Sequence, residues 1–136
     1  DIYRFAKKNK KIILRNPSSV RPWQHVLEPL SGYLTLASAL SSGDRHGEAY
    51  NFGPSNIETN SVQNLIVEMS KHWKNVKWES LSNKQGNIQE AALLKLNCDK
   101  AYSDLDWVPV LKFEENVGLT VEWYKKYYEN QKKPME

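Results

Sequence analysis

Between residues 60 and 73 the apolar positions Val62, Leu65, Ile66, Met69 and Trp73 recur every three or four residues, the spacing of one helical face. Asn60 with Gln63 supplies a capping arrangement at its start. The same period predicts a second helix opened by Glu28-Pro29, with Leu27, Leu30, Leu34 and Ala37 together with Tyr33, Leu36 and Leu40 as its apolar stripe. A third starts near Phe113, carries Glu114 and Glu115 in its first turn, and buries Val117, Val121, Tyr124 and Tyr128. Residues 1–10 read as the last turns of a helix with Ile2 and Phe5 on one face. A short helix runs from an Asn97 cap through Asp104, with Asp106 in a left-handed exit.

Shorter apolar runs predict strands at 12–15 ("IILR"), in "AYNFGPSN" (49–56) before a glycine-proline turn, and in the alternating "VKWES" (76–80). Residues 81–90, polar and containing Gly86, predict an exposed loop, followed by a short extended "ALLKL". The pattern is α/β in short units, with no internal repeat or linker and without the strand count of a complete doubly wound sheet. Strand 12–15 is expected beside the strand carrying Tyr50–Phe52.

Composition narrows this picture. A hydrophobic fraction of 40% with five Trp and seven Tyr argues against disorder, and the longest apolar run falls short of a membrane span. The chain reads as one globular domain, residues 1–136. Cys98 stands alone, which excludes a disulfide framework and favours a reducing compartment, the cytoplasm. Net charge is +3, with lysines crowded in "KKNKK" (7–11) and "KKYYENQKK" (125–133). Those ends are either solvated helix termini or a nucleic-acid patch, and the balance is too small to compel a polyanionic partner.

Between the strand and the second helix lies "RNPSSVRPWQHVLEP" (15–29), which sets Arg15, Arg21, Trp23, Gln24 and His25 in one loop flanked by apolar runs. Cationic and stacking groups in a loop held against a core are suited to ligand contact. Catalytic signatures are missing from the chain. Its glycines (32, 43, 47, 53, 86, 118) never take the spacing of a dinucleotide-binding turn, and there is no P-loop. Tyr3 and Lys7 match a Tyr-x-x-x-Lys pair only as any helix with those residues one turn apart would. His25, His46 and His72 are scattered, with no cysteine near them, so no metal is expected.

The segment "RNPSSVRPWQHVLEPLSGYLTLASAL", followed in order by "AYNFGPS", "QEAALLKLNCDKA" and "LDWVPVLKFEENVGLTVEWYKKYY", resembles the C-terminal, substrate-binding part of the CDP-glucose 4,6-dehydratase family. That family is a branch of the extended short-chain dehydrogenase/reductase superfamily of nucleotide-sugar epimerases and dehydratases. "RPWQHVLEPLSGY" is the element specific to the branch, since the wider superfamily has an Arg-Asp-aromatic version; the tail pattern is common to all branches.

The resemblance implies the small substrate-binding portion of an extended short-chain dehydrogenase/reductase, without the Rossmann cofactor domain, as a fragment of a longer enzyme. It implies a lyase of deoxysugar and lipopolysaccharide O-antigen synthesis that works with tightly held NAD: the C4 hydroxyl of CDP-glucose is oxidised, water leaves across C5 and C6, and the hydride returns to C6. The family's cofactor glycines, catalytic Tyr-x-x-x-Lys pair and acid/base residues belong to a part this chain does not contain. The chain alone is therefore expected to bind no NAD and to be inactive. The partner is CDP-glucose or a related nucleotide sugar, with no nucleic acid and no membrane, and the parent enzyme is expected to be a homo-oligomer.

Carried over by position, Arg21 matches the arginine that contacts the diphosphate, a task suited to a two-pronged guanidinium. Ile12–Leu14 match the strand along the nucleotide base, with Arg15 and Asn16 at its mouth. Asn51 matches an asparagine near the phosphate or ribose. Gln24 and His25 are distinctive of the branch; His25 either contacts ligand or braces the loop, and Trp23 is either core or a stacking platform. Gln89 and Glu90 fall in the loop that closes over ribose and phosphate, facing the groove of Arg21. Gln89 stands where relatives have histidine, and Asn97 and Asp99 depart from the family's Leu-Asp-Cys-Ser-Lys. Two alternatives stay open: another nucleotide-sugar epimerase or dehydratase branch, and a stand-alone module for single-stranded RNA.

Overall fold

The computed structural model describes residues 2–43, 45–55, 59–80 and 93–130. The elements run α1 (Ile2–Lys7), β1 (Lys11–Leu14), α2 (Leu27–Ser41), α3 (Val62–His72), β2 (Lys77–Ser80), α4 (Asp99–Leu105) and α5 (Phe113–Asn130). Ser61 caps α3 by accepting a hydrogen bond from Asn64 N at 3.1 Å, so the cap lies one residue beyond the expected Asn60. Asp106 ends α4 in the left-handed region at φ 51°, as its position predicts.

The strand pairing differs from the expectation. β1 lies parallel to β2, with Ile12 opposite Trp78, while residues 49–55 form no strand. Tyr50 and Phe52 turn inward from an irregular segment instead, because their rings find partners in the helices beside them. A second junction forms at Val20, which bridges Ser61 antiparallel and Leu93 parallel. Val62 N donates to Ser19 O at 2.9 Å and Leu94 N to Val20 O at 3.2 Å.

Two apolar clusters hold these pieces. The larger gathers Ala6, Ile12, Leu14, Ile66, Met69, Trp73, Val76, Phe113, Val117 and Val121, between α1, β1, α3 and α5. The smaller is Phe52, Ala101 and Trp107, with Leu36, Tyr50 and Leu105 against it. Phe5 is 40% exposed, and Ala6 is the α1 residue in the core. α2 also departs from its expected stripe. Leu30 and Leu34 are exposed, and the helix buries Glu28 and Gly32 instead. A helix apolar on most sides does not declare which side turns inward. Here the Phe52 ring decides it, lying so close to Gly32 that a Cβ there would stand 2.2 Å from Phe52 Cδ1.

Candidate functional site

The loop 15–26 is fixed by polar ties to segments outside it. Trp23 Nε1 donates to Asn60 O at 3.0 Å, and Gln24 Nε2 to Phe52 O at 3.0 Å. His25 N donates to Asn116 Oδ1 at 2.7 Å. Asn116, buried on α5, donates in turn through Nδ2 to Leu111 O at 3.2 Å. Glu28, 3% exposed, accepts from Val110 N at 3.2 Å and from Leu111 N at 2.8 Å. A buried carboxylate is tolerated because backbone N–H groups satisfy it.

Within this frame the anticipated residues that the structure describes take the following places. Arg21 is half-buried, with Nη1 donating to Val20 O at 2.8 Å and its backbone N to Asn60 O at 3.5 Å. It lines a narrow cleft with Val20, Pro22, Pro54, Ser55, Leu94, Lys95 and Leu96. Arg15 is exposed just past β1, and the Asn16 carbonyl accepts from Ser19 N at 3.3 Å. Asn51 Nδ2 donates to Asn97 O at 3.1 Å, tying the 51–53 segment to the start of α4. His25 Nδ1 accepts from Leu27 N at 3.3 Å, so its ring braces the entry to α2. Trp23 packs against the larger cluster, in agreement with the core reading. Gln89 and Glu90 lie outside the described residues.

The junction at Val20 therefore brings Arg21 together with the 54–55 and 94–96 segments, while Gln24 reaches the same neighbourhood through the Phe52 carbonyl. Gln24 Oε1 is buried without a partner among the described residues, and the side chain also borders a cavity of about 230 Å³ lined by Tyr3, Trp23, Met69 and Val117 among others. Glu28 and Asn116 were not singled out as parts of this site. Their signals were faint: an acid in the first turn of an apolar helix, and an asparagine adjoining the Val117–Val121 stripe.

The cleft at Arg21 offers cationic and hydroxyl groups, from Arg21, Lys95 and Ser55. Among the described residues no group of three or more His, Cys, Asp and Glu could hold a metal. Burial pushes the Cys98 thiol up, which disfavours the nucleophilic thiolate. Tyr3 stacks on Tyr124 with centroids 3.7 Å apart, and burial followed by the neighbouring Tyr124 raises its phenol. Lys7 meanwhile sits 4.7 Å above the Tyr128 ring, so Tyr3 and Lys7 serve packing. β1 runs into the loop 15–26, which contains no glycine. No described helix is long and apolar enough to cross a membrane.

No family profile matches the chain. CDP-glucose 4,6-dehydratase of Salmonella typhimurium is 40% identical over 127 residues, which cover 92% of this chain and 35% of that protein. Among solved structures, the dTDP-glucose 4,6-dehydratase of Bacillus anthracis in complex with NAD superposes with a TM-score of 0.67 at 25% identity, over 94% of this chain and 39% of that one. The UDP-glucose-4-epimerase of Stenotrophomonas maltophila, with bound NAD and formylated UDP-arabinopyranose, gives 0.76 at 17% identity, over 95% and 39%. The chain thus spans about a third of the curated relative and two fifths of these structures. In sequence it is similar to CDP-glucose 4,6-dehydratase, and in fold it matches part of the larger extended short-chain dehydrogenase/reductase epimerases and dehydratases.

Proposed function

We propose that the chain, residues 1–136, is the nucleotide-sugar-binding part of an NAD-dependent CDP-glucose 4,6-dehydratase acting in the cytoplasm, gripping the diphosphate end of CDP-glucose and capping the cleft. The observation that carries this reading is the 40% identity over 127 residues to an enzyme of that name. The fixed loop supports it, since Arg21 sits on a backbone tied at Trp23, Gln24 and His25, and a pre-positioned guanidinium loses little freedom on meeting phosphate. In this reading Arg21 holds phosphate; Arg15 and Asn16 flank the base; Gln24, His25, Asn51, Gln89 and Glu90 complete the contacts. The parent enzyme is a homo-oligomer that supplies NAD chemistry from residues outside this chain.

An NMR titration of the labelled chain with CDP, UDP and a short single-stranded RNA tests it. CDP should bind weakly, with shifts gathered at residues 12–25 and 51, and Arg21→Ala should weaken it about tenfold, the equivalent of a charge-assisted hydrogen bond. Shifts confined to the lysine-rich ends, with RNA alone, would overturn the reading in favour of an RNA module. Added NAD and CDP-glucose should give no dehydration. Turnover by the purified chain would show that catalytic groups had been overlooked.

A further inference from the structure

α2 is apolar on two opposite sides, and this chain uses one of them. Gly32 and Leu36 face the smaller cluster, on the same side as the buried Glu28. Leu27, Leu30, Leu34 and Ala37, spaced at three and four residues, share the reverse side, and all four are exposed. Leu34 is 73% and Leu27 60% exposed. Glu28 is the one charged residue of the helix, so its exposed side carries no charge at all. The exposed apolar residues of α5 stand differently. Leu119 and Trp123 lie among Glu122, Lys125 and Lys126, the mixture of a solvated face. A helix apolar all round belongs to the interior of a larger body. An uncharged row of leucines is, moreover, the composition of a permanent contact rather than a transient one.

We infer that the Leu27, Leu30, Leu34 and Ala37 side of α2 is the surface on which the cofactor-binding remainder of a longer enzyme docks. The identity of that partner rests on the nucleotide-sugar dehydratase reading. The chain spans about a third of its curated relative, so most of that enzyme lies outside the matched stretch and must abut it somewhere. The position of α2 suits that contact. Val110 N and Leu111 N donate to Glu28, and Leu27 N donates to the His25 ring, which fixes the first turn of α2 to the loop 15–26. A body seated on the outer side of the helix therefore stands beside that loop. Substrate held at the loop then lies between two bodies, one bringing recognition and the other NAD chemistry. A seam without ion pairs is also insensitive to salt.

The test compares the 136-residue chain with a chimera in which residues 1–136 replace the matching stretch of the Salmonella typhimurium enzyme, each as parent, Leu34→Glu and the control Leu119→Glu. Leu34→Glu should leave the melting temperature of the chain alone unchanged, since leucine and glutamate are similar helix formers and the side chain is in water. In the chimera it should lower the melting temperature by about 5 °C or more and release NAD, because an unpaired carboxylate is then buried at the seam. Leu119→Glu should change neither protein. Glutamate at the residue aligned with Leu34 in the Salmonella enzyme itself is the second variant, and equal melting with and without it overturns the assignment whether or not the chimera folds. A chimera indifferent to Leu34→Glu also overturns it. So does a chain that sediments as a dimer dispersed by Leu34→Glu while the chimera is unaffected, which would make α2 a contact between copies. These failures leave the nucleotide-sugar reading to the titration with CDP. A chimera that needs Leu34 and holds NAD yet turns over no CDP-glucose upholds the docking side and removes the CDP-glucose reading.

Discussion

Glu28 and Asn116 are the residues on which the geometry of the candidate site depends, although neither is expected to touch a ligand. Glu28 closes the backbone of Val110 and Leu111 onto the start of α2, and Asn116 joins His25 to Leu111. Glu28→Ala should cost roughly 1–3 kcal/mol in urea unfolding, because it strips the acceptor from two backbone donors, with Glu28→Gln falling between. Asn116→Leu, close in size, should destabilise similarly and loosen the 21–25 loop, visible as faster amide exchange at His25. Tyr3 gives a pH prediction of opposite character. Its phenol is raised above the ordinary 10.0 by burial and then by Tyr124, so the folded state holds that proton more tightly than the unfolded state does. Stability from this source is complete below the unfolded value and declines as pH rises beyond it. Unfolding measured from neutral to strongly alkaline pH should show that decline, and Tyr3→Phe should reduce its slope.

At the scale of elements, α2 shows how one contact overrides a pattern. Its apolar positions surround the helix, and the inward side is selected by the Phe52 ring lying against Gly32, edge-on to Trp107 with centroids 4.9 Å apart. Gly32→Ala would ordinarily help a helix by about 1 kcal/mol. Here the new methyl must displace the ring, and overpacking of this kind costs about 1–3 kcal/mol, so a lower melting temperature and an altered near-UV spectrum are expected. The α3 stripe was legible because its apolar residues gather mostly on one side, so period alone names the buried face. The Asp106 exit was legible because the left-handed conformation is a property of one residue. The strand partner was not. β1 meets β2 across the whole intervening chain, and nothing in "KIIL" distinguishes "KWES" from "YNF" as a neighbour.

At the scale of the molecule, the two apolar clusters are joined by polar ties. Gln24 reaches from the loop at the larger cluster to the Phe52 carbonyl in the smaller, and Glu28 and Asn116 both grip the segment that leads into α5. Unfolding should therefore be one transition. Trp73 belongs to the larger cluster and Trp107 to the smaller, so single-tryptophan variants retaining one or the other should give coincident urea midpoints. Separate midpoints would show that the ties do not couple the clusters. What the sequence determined by itself was local or carried by likeness: where the helices lie, where α4 ends, and the resemblance to nucleotide-sugar dehydratases. Only the tertiary structure decided which face of α2 turns inward, which strand lies beside β1, and that Lys95 shares a cleft with Arg21. The physical reason is the same in each case. Period and turn chemistry act over a few residues, whereas these outcomes depend on contacts between segments distant in the chain, settled by which ring, backbone or charge can fill the remaining space.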